Sequence, residues 1–122
     1  MPFVILSAGR DSQIALKRSE ALKTFGYHTV TASTASEVIN KLFNGDFDVV
    51  ILCNSLPDAE RRKLAGIVKS YSPSTPVIIV ADTAGAQYDY GSQTASGAPA
   101  DLAAAIEKAF SKKNNYRAAK TA

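Results

Sequence analysis

Few residues in this chain could do chemistry, and Cys53 has the most potential: it is the only cysteine among 122 residues. It closes the run Phe47-Asp48-Val49-Val50-Ile51-Leu52-Cys53, which Asn54-Ser55-Leu56-Pro57 follows. A thiol acts as a nucleophile or redox group when its pKa is lowered and it is reachable. Arg10 could supply positive charge near it. A lone cysteine at the end of an aliphatic run nevertheless fits a small buried apolar residue better. One cysteine allows no internal disulfide, and with His28 as the only histidine no zinc cluster is expected. His28 lies beside Tyr27 without Cys, Asp or Glu at ligand spacing, so it reads as structural or exposed. The chain contains no Ser-His-Asp arrangement, no phosphate-cradling glycine loop and no paired catalytic carboxylates. No catalytic residue, metal or cofactor is expected, and the chain reads as a non-enzyme.

The elements around Cys53 follow from hydrophobic pattern. Hydrophobic residues make up 46% of the chain and charged residues 20%, the balance of an ordinary soluble globular domain of this size. Phe3 to Leu6, Val49 to Leu52 and Val77 to Val80 are short aliphatic runs, which fits strands buried on both faces of a parallel sheet. Tyr27 to Thr31 alternates and predicts a more exposed strand at an edge. Asp11 or Ser12 can cap a helix from about Gln13 to Thr24. Thr34, with Glu37 three residues later, forms a capping box for a helix from Ala35 to Phe43. Asp58 can open a helix to about Tyr71, with Leu64, Ile67, Val68 and Tyr71 on one face. A last helix runs from about Ala100 to Ser111. Strand and helix alternate, which argues for an α/β doubly wound fold with right-handed crossovers.

Between Asp82 and Pro99 the pattern fades. The segment is rich in Gly, Ala, Ser and Thr and has no aliphatic run. Tyr88-Asp89-Tyr90 is the best candidate there for a fifth strand, and little room remains for a helix before it. A flexible loop or short turn is expected where another helix would normally lie. The formal net charge is +3. Much of it belongs to Lys108, Lys112, Lys113, Arg117 and Lys120, so residues 1–111 read as the domain and 112–122 as a basic, flexible tail. Arg61, Arg62 and Lys63 form a basic cluster early in the third helix, read as a solvated face. The chain shows no basic leader with a long apolar core and no stretch of 18 or more apolar residues, and a cytoplasmic location is the default expectation.

The order and spacing of several segments resemble the receiver domain of bacterial two-component signalling over roughly residues 3 to 110. Gly26-Tyr27-His28-Thr29-Val30-Thr31-Ala32 is similar to the segment around its second strand, and Phe47 to Leu52 to its third. Leu56-Pro57-Asp58 resembles the loop that follows, Ser72 to Ile78 the approach to strand four, and Pro99-Ala100-Asp101-Leu102 the start of the last helix. The resemblance implies a flavodoxin-like (CheY-like) five-stranded parallel sheet in order 2-1-3-4-5, with a truncated or missing fourth helix.

It also implies a phosphorylation pocket, which can be checked residue by residue. The Mg²⁺-binding acidic pair falls on Gly9 and Arg10, with Asp11 one residue later and better suited to capping. The phosphoacceptor aspartate falls on Cys53. The switch Thr or Ser falls on Ala81, followed by Asp82. The family's Lys after strand five has no counterpart, because no Lys or Arg occurs between Lys69 and Lys108. The expectation is a degenerate, non-phosphorylatable receiver acting in signal transduction through protein–protein contacts. A histidine kinase, response regulator or other signalling protein is the expected partner. Arg10 could pair with Asp82 and lock the pocket. Tyr88 and Tyr90, with Arg61 and Arg62, are candidate partner contacts. The alternative is a small nucleic-acid-associated regulator using the basic helix face and tail.

Overall fold

In the computed structural model, backbone is described for residues 3–83 and 85–121, and side chains as far as Phe110. Strands β1 (Phe3–Ala8), β2 (Tyr27–Ala32), β3 (Val49–Leu52), β4 (Val77–Val80) and β5 (Gln93–Ala95) form one parallel sheet in order β2-β1-β3-β4-β5. Helices α1 (Ser12–Lys23), α2 (Ala35–Asn44), α3 (Asp58–Tyr71) and α4 (Pro99–Thr121) connect and follow the strands. The topology is the expected one, and among the described residues no helix joins β4 to β5.

Every residue of β3 and β4 is buried, as an aliphatic strand covered on both faces must be. On one face, Leu6, Val50, Leu52 and Ile79 pack with Val38 and Leu42 of α2 and Leu64 and Val68 of α3. On the other, Ile5, Val49, Ile51, Cys53, Ile78 and Val80 pack with Leu22 of α1 and Leu102 and Ile106 of α4.

Local chemistry sets the helix starts. Asp11 caps α1 through its Oδ1, which accepts from the backbone N–H groups of Gln13 and Ile14, both at 3.1 Å. Thr34 Oγ1 accepts from Glu37 N at 3.1 Å, while the Glu37 carboxylate reaches back to Ser33 N and Ser33 Oγ. The box thus spans one residue more than its usual form. The backbone of α4 continues to Thr121, past the expected end at Ser111. The side chains of the basic residues in 112–122 lie outside the described residues.

The fifth strand is not Tyr88-Asp89-Tyr90 but Gln93–Ala95, paired with Ile78, Ile79 and Val80. The tyrosines turn instead onto the helical layer, where they pack against the cluster built on α2 and α3. Gly91 makes the change of direction possible. Its φ is +87°, and a Cβ there would stand 2.6 Å from Ile79 Cγ1, so any side chain would meet both strain and a clash. Ser92 then starts the pairing, with Ser92 N donating to Val77 O at 2.7 Å.

Candidate functional site

In an α/β sheet of this kind, ligands and chemistry collect at the carboxyl ends of the strands, where strand order reverses. Here that pole gathers Gly9 and Arg10 after β1, Cys53 after β3, Ala81 and Asp82 after β4, and Ser96 and Gly97 after β5. Backbone hydrogen bonds fix their relation. Cys53 N donates to Ala8 O at 2.8 Å, Gly9 N to Ala32 O at 3.0 Å, and Ala81 N to Ala95 O at 2.9 Å. Gly9 is buried against Cys53, and a Cβ on it would lie 2.9 Å from Cys53 Cβ and 3.0 Å from Ser55 Oγ.

Cys53 is 4% exposed. Its Sγ lies 3.9 Å from Ser7 Oγ and accepts a hydrogen bond from Arg18 Nη1. Burial pushes the thiol's pKa up, while the Arg18 guanidinium, the Ser7 hydroxyl and the more distant Arg61 pull against that. Burial prevails, and the thiol stays protonated at neutral pH. Arg18 was not singled out from the sequence. Its signal was there: Ala15, Arg18, Ser19 and Leu22 follow the three- and four-residue spacing of an inward helix face, and Arg18 is 6% exposed.

The pair that Arg10 could have made with Asp82 does not form. Arg10 instead bonds Glu60 of α3, Nη2 to Oε2 at 2.8 Å, and its backbone N–H donates to Ser55 Oγ at 2.9 Å. Asp82 is taken by Arg61, Nη2 to Oδ2 at 2.6 Å. Glu60 and Arg61 both lie in the first turn of α3 and reach the two groups first, Glu60 taking Arg10 and Arg61 taking Asp82.

Arg61 is the second correction. It does not share a solvated face with Arg62 and Lys63; it is 1% exposed. Its Nη1 donates to Val80 O at 3.0 Å. Its guanidinium lies 5.3 Å from the centre of the Tyr88 ring, within cation–π range. Tyr88 Oη donates to Asp82 Oδ2 and accepts from Asp82 N, both at 2.9 Å. A matching set lies one residue further along α3. Arg62 bonds Asp89 at 2.7 Å and stacks 4.8 Å from the Tyr90 ring, whose hydroxyl donates to Asp58 Oδ1. The two rings meet edge to face at 5.5 Å.

The segment after β4 is thus clasped to α3 where a loose loop was expected. The clasp's charges respond as the geometry requires. Arg61 and Tyr88 hold the Asp82 carboxyl below its ordinary range, and Arg62 does so for Asp89. Desolvation and the neighbouring Asp58 push Tyr90 up to about 12.

Among the described residues, no three His, Cys, Asp or Glu side chains converge as metal ligands. Nor is any helix long and apolar enough to cross a membrane.

No family model and no curated protein sequence matches the chain. Solved structures do. A response-regulator receiver domain protein (CheY-like) from Methanospirillum hungatei superposes with a TM-score of 0.81 at 22% identity, covering 95% of this chain and 99% of its own. The response regulator TrrA from Thermotoga maritima gives 0.77 at 21%, covering 88% and 98%. An uncharacterised protein from Neptuniibacter caesariensis gives 0.80 at 14%, covering 94% and 92%. At such low identity what is shared is architecture, and the chain has the fold of response-regulator receiver domains.

Proposed function

We propose that the protein is a non-phosphorylatable receiver, a non-enzymatic signalling module that works through contacts with another protein. The observation that carries this reading is the group at the end of β3: a buried thiol under an arginine, where the resemblance calls for an exposed carboxylate. An acyl phosphate forms when a carboxylate oxygen attacks phosphorus in line, with cations neutralising the charge that develops. Cys53 offers no carboxylate, and Ala81 offers no hydroxyl to follow a phosphoryl group. Mg²⁺ needs hard oxygen ligands in near-octahedral array. Gly9, Arg10 and Cys53 do not fit it, and Asp11 is spent on capping α1.

One structure of similar fold is that of the histidine kinase ThkA in complex with the response regulator TrrA. By analogy, a signalling protein is the partner class we propose here. The contact surface we assign is the outer side of the clasp, formed by Tyr88, Tyr90 and Arg62. Arg61 lies behind it and supports Tyr88 from the interior. The nucleic-acid alternative draws less support, because Arg61 is buried and Arg62 is already paired with Asp89.

Capture with tagged protein from the source lysate, with and without nuclease, tests the reading. A nuclease-resistant protein partner is expected, with binding weakened by Arg62→Ala combined with Tyr90→Phe. Recovery that depends on intact nucleic acid would overturn it.

A further inference from the structure

The outward side of α3 is not uniformly polar. Lys63, Gly66, Ile67, Ser70 and Tyr71 recur at the three- and four-residue spacing of one helix side. Beside them Phe43 leaves the last turn of α2. Phe43 and Tyr71 are 53% and 52% exposed, with their ring centroids 4.6 Å apart. Ile67, half-buried, packs on the core cluster beneath. Together with Lys63, Gly66 and Ser70 these three border an open groove of about 620 Å³ between α2 and α3. Aromatic rings held side by side in water, with a polar rim, mark a surface that another molecule covers.

Charge says what kind of molecule fits. From Arg61 to Tyr71 the chain has no Asp or Glu. Lys63 and Lys69 stand three residues before and after Gly66, both exposed. Among the described residues no ion pair engages either lysine. A symmetric contact with a second copy would set these lysines against one another, whereas an acidic chain complements them. Gly66 keeps the middle of the groove bare. Glycine inside a helix costs stability relative to alanine. Here φ is not positive, and a Cβ would meet nothing within 4 Å, so contacts within the chain do not require the glycine. A second backbone can approach α3 closely at that point.

We propose that the α2–α3 groove is a docking site for an acidic amphipathic helix of a protein partner. The apolar side of that helix rests on Phe43, Ile67 and Tyr71 over Gly66, and its carboxylates meet Lys63 and Lys69, a helix-in-groove contact. This surface is separate from the clasp of Tyr88 and Tyr90 and depends neither on that contact nor on the fate of phosphorylation.

The probe is a labelled synthetic helix with Leu at i, i+3, i+4 and i+7 and Glu on its other sides, titrated against the full chain by fluorescence anisotropy. One control peptide scrambles the same residues, and another replaces Glu by Lys. Saturable binding of the Glu helix is expected, weakening as salt rises, with little binding of either control. Lys63→Glu combined with Lys69→Glu should weaken it by about tenfold or more and turn the preference to the Lys helix. Gly66→Gln leaves the charges in place and puts a side chain into the groove, and it should weaken binding by as much while Tm does not fall. All three changes are at exposed positions, and the Gly66 variant decides where the charge reversal alters the fold. Absence of saturable binding by the unaltered protein, equal binding of the scrambled peptide, or undiminished binding in Gly66→Gln would overturn the assignment.

Discussion

Two arginines enter the carboxyl pole from opposite layers of the sheet, Arg18 from α1 and Arg61 from α3, and the fold treats them differently. Arg61 has a carboxylate, a carbonyl and an aromatic face around it. Of its polar atoms only Nε is buried without a partner among the described residues. Arg18 has a thiol. A buried charge that is fully engaged fixes structure, because removing one partner strands the others. A buried charge facing a neutral group fixes less. The α3 side of the pole is therefore tied by a network of side chains, while on the α1 side Arg18 is held by Cys53 alone among the described hydrogen bonds.

The contrast should be plainest in Arg61→Ala. That change strands Asp82 and Val80 O and leaves a hole under Tyr88. A loss of about 2–4 kcal/mol is expected in urea unfolding, below the full cost of breaking a buried pair because Asp82 is half exposed. A loss under 1 kcal/mol would mean that the clasp contributes little to the fold. Arg18→Met should behave in the opposite sense, unchanged or more stable by up to about 2 kcal/mol, since it replaces an uncompensated charge with an apolar chain of similar reach. Strong destabilisation there would show that the two arginines are alike after all.

Tyr88→Phe keeps the ring over Arg61 but removes the hydroxyl that bonds Asp82. About 1 kcal/mol is expected to be lost, and less still in an Asp82→Asn background if the two act together. The smallest effect lies in acid. Arg61 and Tyr88 depress the Asp82 pKa from an ordinary value of 3.8. The stability this gives is fully present above that pH, and is lost as pH falls below it through the folded value. Acid titration of Tm should fall more steeply below about pH 4 for the unaltered protein than for Asp82→Asn, and parallel curves would remove the claim.

The sheet was legible in the sequence because its central strands are buried on both faces. Val49–Leu52 and Val77–Val80 read as unbroken aliphatic runs, and a parallel sheet has few other ways to use them. The cap at Asp11 and the box around Thr34 were legible as local chemistry. The fifth strand was not, because Gln93-Thr94-Ala95 is short, polar and at an edge. Tyr88 and Tyr90 have stronger strand propensity, yet stacking on Arg61 and Arg62 draws them to the other layer. The two buried arginines were hidden for another reason. Charge suggested solvent, whereas Arg61, Leu64, Ala65 and Val68 share an inward face, as do Arg18 and Leu22. Periodicity was the better guide at both positions. The residues at the carboxyl pole could be read from the sequence, whereas the contact of Arg18 with Cys53 could be seen only once α1 had been docked on the sheet.

The central claim is that this pole holds no phosphoryl group. The most direct measurement is intact-mass analysis after exposure to a small phosphodonor with Mg²⁺, on the unaltered protein and on Cys53→Asp in parallel. The account predicts no adduct on the first. It also predicts none on the second, where the new carboxylate would pair with Arg18 and still lack metal ligands at Gly9 and Arg10. An acid-stable or acid-labile phosphoryl adduct mapping to this pole of the unaltered protein would contradict it.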